Sequence, residues 1–156
     1  LVEESKTTNL EGFMNGKIWI MIGALLMGIS VALSAYGAHG VPTYLSKTDF
    51  TDIDRRIELW KTAAQIQTTH SIGLILVGGL LAIYSLREQE KKSRNLGLLG
   101  LNFAGALMLV GMVLFSGLLY ISSLSQIEFG FYVPTGGSCL ILSWFGVAIA
   151  IGLLGK

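Results

Sequence analysis

The stretch Ile18–Ala38, IWIMIGALLMGISVALSAYGA, runs for 21 residues without one charged side chain. As an α-helix it would be about 30 Å long, which matches the hydrocarbon core of a bilayer. It reads as a membrane span, and three further apolar runs follow it. The second, Ser71–Leu86, has 16 residues and falls short of crossing. Extended back to Ala63 it is long enough, but it then carries Gln65, Gln67, Thr68, Thr69 and His70. The third runs from Leu96 to Ser122, with Asn102 as its strongly polar interior group. The fourth, Thr135–Leu154, follows Pro134, whose fixed φ and missing N–H suit the first turn of a helix.

Spans at about 18–38, 63–86, 96–122 and 135–154 define an all-α, integral membrane four-helix bundle. It forms one domain, 18–154, behind a polar segment at 1–17. Composition agrees: 52% of residues are hydrophobic, 13% are charged and the mean hydropathy is +0.64, whereas a soluble domain carries roughly a quarter charged residues. The spans and their loops account for nearly all of the length, leaving no room for a soluble catalytic domain. A net charge of +1, with no concentrated basic face, excludes nucleic acid as an expected partner. The single cysteine, Cys139, has no partner for an internal disulfide and sits in the fourth span as a small packing residue. The chain opens on Leu1, which fits a removed mitochondrial transit peptide or a loss of first residues. Leu1–Gly16 lacks the apolar run of a signal peptide.

The first loop carries a second pattern. Phe50, Ile53, Ile57 and Trp60 fall on one side of a helix, with Asp52, Asp54, Arg55, Arg56, Glu58 and Lys61 on the others. This predicts an amphipathic helix over about 51–61, opened by a Thr51–Asp54 capping box and lying apolar face down on the membrane surface. In the spans, small residues at spacings of four predict close helix packing: Ala24, Gly28 and Ala32 in the first, Gly146 and Ala150 in the fourth. Gly117, Gly136 and Gly137 are further packing candidates. Trp19 reads as an interfacial anchor.

Both termini are expected on one side. That side holds Lys6, Lys17, Arg87, Lys91, Lys92, Arg94 and Lys156, against Lys47, Arg55, Arg56 and Lys61 opposite. The basic bias puts the termini in the cytoplasm, or in the matrix if the membrane is mitochondrial. His39 and His70 then lie in the same leaflet. Two histidines on separate helices are one way to hold a b-type haem. His39, however, stands beside glycine at a rim, not opposed to a partner across an apolar slot. No cofactor and no metal site are expected, while bound phospholipid is compatible with the composition. The candidate polar contacts between helices are His39, Gln67, Thr69, His70, Ser116 and Tyr120. No acid falls inside a span, which disfavours an ion-coupled transporter, and no nucleophile–base pair or phosphate-cradling loop points to an enzyme.

Certain motifs go further. Gly23-Ala24, Gly37-Ala38-His39-Gly40, Thr62-Ala63, Gln67-Thr68-Thr69-His70, Leu114–Tyr120, Pro134-Thr135-Gly136-Gly137 and Trp144 occur in order. In these the chain resembles the small four-span proteins of domain of unknown function 423, the transmembrane protein 256-like family. The resemblance implies the fold and a membrane location, and for the animal members a mitochondrial one. The expected function is that of a non-catalytic membrane subunit, packed against other subunits of a mitochondrial inner-membrane, respiratory-chain assembly. Two alternatives stand beside it. One is a small solute or proton conductor with a polar half-channel of His39, Gln67, Thr69, His70 and Tyr120. The other is a lipid-binding, membrane-shaping protein acting through Ile53, Ile57 and Trp60.

Overall fold

A computed structural model describes residues 2–86 and 92–154, with the side chains of residues 14–86 and 95–154. Among these residues there is no strand. The helices are α1 (Val2–Leu45), α2 (Ile53–Ser85), α3 (Lys92–Met112), α4 (Leu118–Leu124) and α5 (Tyr132–Leu154), with a π-turn, Val113–Gly117, joining α3 to α4 as one rod. Four stretches are long and apolar enough to cross a bilayer: Met14–Leu45, Ile53–Ser85, Asn95–Leu124 and Tyr132–Leu154. The chain is an integral membrane protein built as a four-helix bundle.

The bounds differ from the expected spans in ways that packing explains. The segment at 1–17 is not set apart, since from Val2 onward it is the start of α1. At its other end α1 runs past Ala38 and through Pro42, because Val41 and Leu45 bury completely against Trp60 and hold the last turns in helical form. The larger correction concerns the first loop. No separate surface helix exists over 51–61; these residues are the opening turns of α2, a 33-residue helix. Such a helix rises about 50 Å, some 20 Å more than the hydrocarbon core, so its charged first turns stand at headgroup level while its axis continues inward. Its buried face runs Arg56, Trp60, Ala63, Gln67, His70, Ser71, Leu74, Val77 and Leu81 at helical spacing. That register turns Trp60 inward and seats Ile53 and Ile57 against Val41, Leu45 and Trp60, with Phe50 beside them. The N-cap is Asp52 without a side-chain cap bond, so the Thr51–Asp54 box does not form. Between the second and third expected spans, residues 87–91 lie outside the described ones, and α3 already begins at Lys92.

Two antiparallel helix pairs make the bundle. In the first, α1 meets α2 along Gly16, Gly23, Ser30 and Gly37, a repeat of seven that suits a left-handed crossing. Here backbones nearly touch. A Cβ at Gly78 would lie 2.5 Å from the Gly16 carbonyl oxygen, and one at Gly23 would lie 2.8 Å from that of Ser71. In the second pair α5 lies on the α3–α4 rod. A Cβ at Gly136 would fall 2.6 Å from the Phe115 nitrogen, Gly97 closes on Leu154 and Ala150, and Gly146 meets Ala104. Leu74, Val77, Leu81, Leu98, Leu101 and Met108 join the pairs across α2 and α3.

Of the small residues expected to pack, Gly136, Gly137, Gly146 and Ala150 touch a neighbouring helix. Ala24, Gly28 and Ala32 are exposed instead, on the side of α1 away from α2, and a Cβ at Gly117 would meet nothing. Trp19 is also turned inward rather than anchored at the surface. Its Nε1–H donates to Asn102 Oδ1 at 3.0 Å, with Gly105 making room for the ring.

Candidate functional site

The buried face of α2 brings Gln67 to the middle of the bundle, where three helices meet around its amide. Its Nε2 donates to the Leu26 carbonyl of α1 at 3.0 Å, and its Oε1 accepts from the Tyr120 hydroxyl of α4 at 3.0 Å. Tyr120 packs edge-on to Trp60 at 4.7 Å, and Trp60 Nε1 donates to the Leu33 carbonyl of α1 at 2.8 Å. Ser30 and Thr68 share a further bond between α1 and α2 at 2.9 Å. Gln67, Tyr120 and Trp60 thus form a polar seam that ties α1 to α4 through α2. Its logic is that of lipid: a polar group in the core has no water to fall back on and must find protein partners.

One group breaks that rule. Ser116 is 2% exposed and its Oγ has no hydrogen-bond partner. Other helical hydroxyls in the chain bond back to a carbonyl one turn earlier, as Ser71 does to Gln67 and Thr68 to Ala64. Ser116 sits in the π-turn, where the winding is wider than in an α-helix and the backbone ladder is locally displaced. Leaving such a hydroxyl orphaned costs about 1–3 kcal/mol. It lines a crevice of about 200 Å³ between α1 and the α3–α4 rod, whose other walls are Leu26, Leu33, Gln67, Leu109, Met112, Val113, Gly117 and Tyr120.

The other expected contacts are placed differently. Thr69 is exposed and bonds within its own helix to Gln65. His70 is buried between α2 and α5, with Nδ1 2.8 Å from the Ile66 carbonyl and its ring tilted against Trp144 at 6.1 Å. A carbonyl oxygen only accepts, so Nδ1 carries a proton. His39 is exposed on the outer side of α1. The two histidines are therefore not brought together, and the half-channel drawn through His39, Thr69 and His70 is not assembled, because the three side chains point to different sides of the bundle. Among the described residues no three of His, Cys, Asp and Glu lie close enough to share a metal ion.

Arg56 went unsingled in the sequence, where it is one charge among eight in the first loop. The structure makes it a clamp at the water end of the bundle. Its Nη1 donates to the carbonyls of Ser122 at 3.1 Å and Ser125 at 2.6 Å, its Nε donates to Asp52 at 2.7 Å, and its Cζ lies 3.6 Å from the Phe50 ring centre. Ser123 Oγ returns a bond to the Arg56 carbonyl. The guanidinium thus closes the C-terminus of α4, where unpaired carbonyls and the helix dipole favour a cation. The Asp52 carboxyl is held below its ordinary range by the Arg56 hydrogen bond. The i, i+4 spacing of Asp52 and Arg56 was the available sequence signal, although nothing in it points to α4.

Helices held by seams of mutual hydrogen bonds, with one orphan hydroxyl beside a crevice, define a small four-span membrane protein. Comparison with known proteins gives its family. The chain belongs to the family described as "Protein of unknown function (DUF423)", whose model matches residues 33–137. Similar relatives include UPF0382 membrane protein YwdK of Bacillus subtilis, 35% identical over 135 residues covering 86% of this chain and 95% of that protein. A UPF0382 membrane protein of Staphylococcus haemolyticus is 34% identical over the same length, covering 94% of its own chain. No solved structure matches.

Proposed function

We propose that the chain is a non-catalytic subunit of a larger membrane assembly and docks through the outer face of α1. The observation that carries this reading is the two-sidedness of that helix. One face gives Gly16, Gly23, Ser30 and Gly37 to α2. The opposite face presents Ala24, Gly28, Ala32 and Ala35 in a row ending at His39, all exposed and flanked by Met21 and Leu25. Lipid is satisfied by any apolar side chain, so a row of small residues is superfluous on a helix that meets lipid alone. It suits a second helix approaching closely, since association in the bilayer rests on packing rather than on a hydrophobic drive. The partners are membrane subunits and lipid, with no nucleic acid and no chemistry of the chain's own. The relatives named above are bacterial, so the mitochondrial inner membrane and its respiratory chain rest on the motif resemblance, and organelle fractionation decides that part.

Native gel electrophoresis after mild detergent extraction tests the subunit reading. The wild type is expected in a large species and Gly28→Leu as the free protein, with little change in melting because a Cβ there has nothing of the chain within 4 Å. Migration of the wild type solely as a free small protein overturns it.

A further inference from the structure

The geometry points to the crevice beside Ser116 as a binding site for a neutral, membrane-soluble molecule that offers a carbonyl oxygen on a single ring or an ester head. This is independent of the docking face of α1, which lies on the other side of that helix. Four features select the ligand. The first is size: a cavity of about 150 Å³ accommodates a benzene ring, and this one measures about 200 Å³. The second is charge, since the nine lining residues include no ionisable group other than the Tyr120 phenol. A charged head would be left unpaired in a medium of low dielectric. The third is access. α1 touches the α3–α4 rod far less than it touches α2, and Val113, on the crevice wall, is 61% exposed. A ligand enters sideways from the bilayer, with its apolar remainder left among the acyl chains.

The fourth feature is the hydrogen bonding. Ser116 Oγ has a proton to give and no hydrogen-bond partner in the protein. Gln67 Nε2 has two protons, of which one goes to the Leu26 carbonyl. Tyr120 donates its proton to Gln67 Oε1, which fixes the amide orientation and keeps the second N–H available. The unpartnered Ser116 hydroxyl and the second N–H of Gln67, on residues lining one apolar crevice, are the complement of a carbonyl oxygen, which has two lone pairs. Binding turns the Ser116 hydroxyl into the crevice and satisfies the one orphan among the buried side-chain groups described. Quinone rings and acylglycerol esters share this chemistry.

The test uses the full chain in detergent micelles and native mass spectrometry with three added probes: a short-tailed benzoquinone, a short-chain diacylglycerol, and an alkylbenzene of matching size that lacks carbonyls. Wild-type protein is expected to retain one carbonyl probe in preference to the alkylbenzene, and whichever of the two it retains identifies the source. Ser116→Ala is expected to weaken that probe about tenfold, the usual effect of one buried hydrogen bond, and to leave alkylbenzene retention unchanged. Val113→Trp, which plugs the rim from the lipid side without touching the core, is expected to abolish retention. Retention of neither carbonyl probe overturns the proposal, as does equal retention by wild type and Ser116→Ala. If Ser116→Ala does not fold, undiminished retention by Val113→Trp overturns it.

Discussion

Replacing Arg56 by methionine tests whether a clamp at the water end holds the third span to the second. Methionine keeps an apolar stem of similar length, so the experiment removes the guanidinium and little else. Two well-formed charge-assisted bonds disappear, to Ser122 and Ser125 at 3.1 and 2.6 Å. Each such bond contributes about 1.5–3 kcal/mol. The adjoining cavity of about 420 Å³ opens at this end and admits water to the freed carbonyls, which offsets part of the loss. Asp52 is not stranded, since its side chain is 37% exposed. The expected cost is about 2–4 kcal/mol. Arg56→Lys keeps the charge without the planar fork, cannot serve Asp52 and both carbonyls at once, and is expected to cost about half as much. Reversible unfolding in mixed micelles measures both, and hydrogen exchange is expected to speed up around the end of α4. An Arg56→Met protein within about 0.5 kcal/mol of wild type refutes the clamp.

Acid should act on the same place. The folded-state pKa of Asp52 is depressed by its hydrogen bond with Arg56, so its contribution is present above the ordinary carboxylate value of about 4. It is lost as pH falls through the lower folded value. Melting curves should show that decline in wild type and a shallower one in Asp52→Asn. Glycine substitutions should separate the two faces of α1: Gly78→Leu, with its Cβ 2.5 Å from the Gly16 oxygen, is expected to cost 3 kcal/mol or about that, while Gly28→Ala stays within about 0.5 kcal/mol. Tyr120→Phe removes the hydroxyl held by Gln67 and is expected to cost about 0.5–1.5 kcal/mol in micelles, with no change in helix content. In a Cys139→Ser background, a cysteine at Thr7 should resist an impermeant thiol reagent added from the side opposite the basic loops. Labelling from that side overturns the expected topology.

Much of the bundle was legible because charge in hydrocarbon is so costly that spans announce themselves. The four expected spans appear as four long helices, the second lengthened at its start to Ile53. The seam was legible in part. Gln67 and Tyr120 stood out as polar groups needing partners, and they partner each other. The less legible readings share one cause. Small residues at Ala24, Gly28 and Ala32 read as a helix contact without saying whose, while within this chain Gly16, Gly23, Ser30 and Gly37 are the face that packs. The apolar set Phe50, Ile53, Ile57 and Trp60 looked like a membrane-surface stripe, while Trp60 is 4% exposed inside the bundle. In water an amphipathic pattern marks the buried side of a helix. In lipid both sides are apolar, so the pattern loses that meaning.

The amino-acid sequence by itself therefore determined the class, the number and order of the spans and the membership of a family, because each depends on local hydropathy or on motifs in one dimension. The tertiary structure alone decided which side of each helix is covered. It turned His39 outward and His70 inward, carried Arg56 from a surface loop to the end of α4, and left Ser116 without a partner on a crevice. Those outcomes depend on how closely backbones approach and on which carbonyl lies within reach, and such distances arise when helices meet.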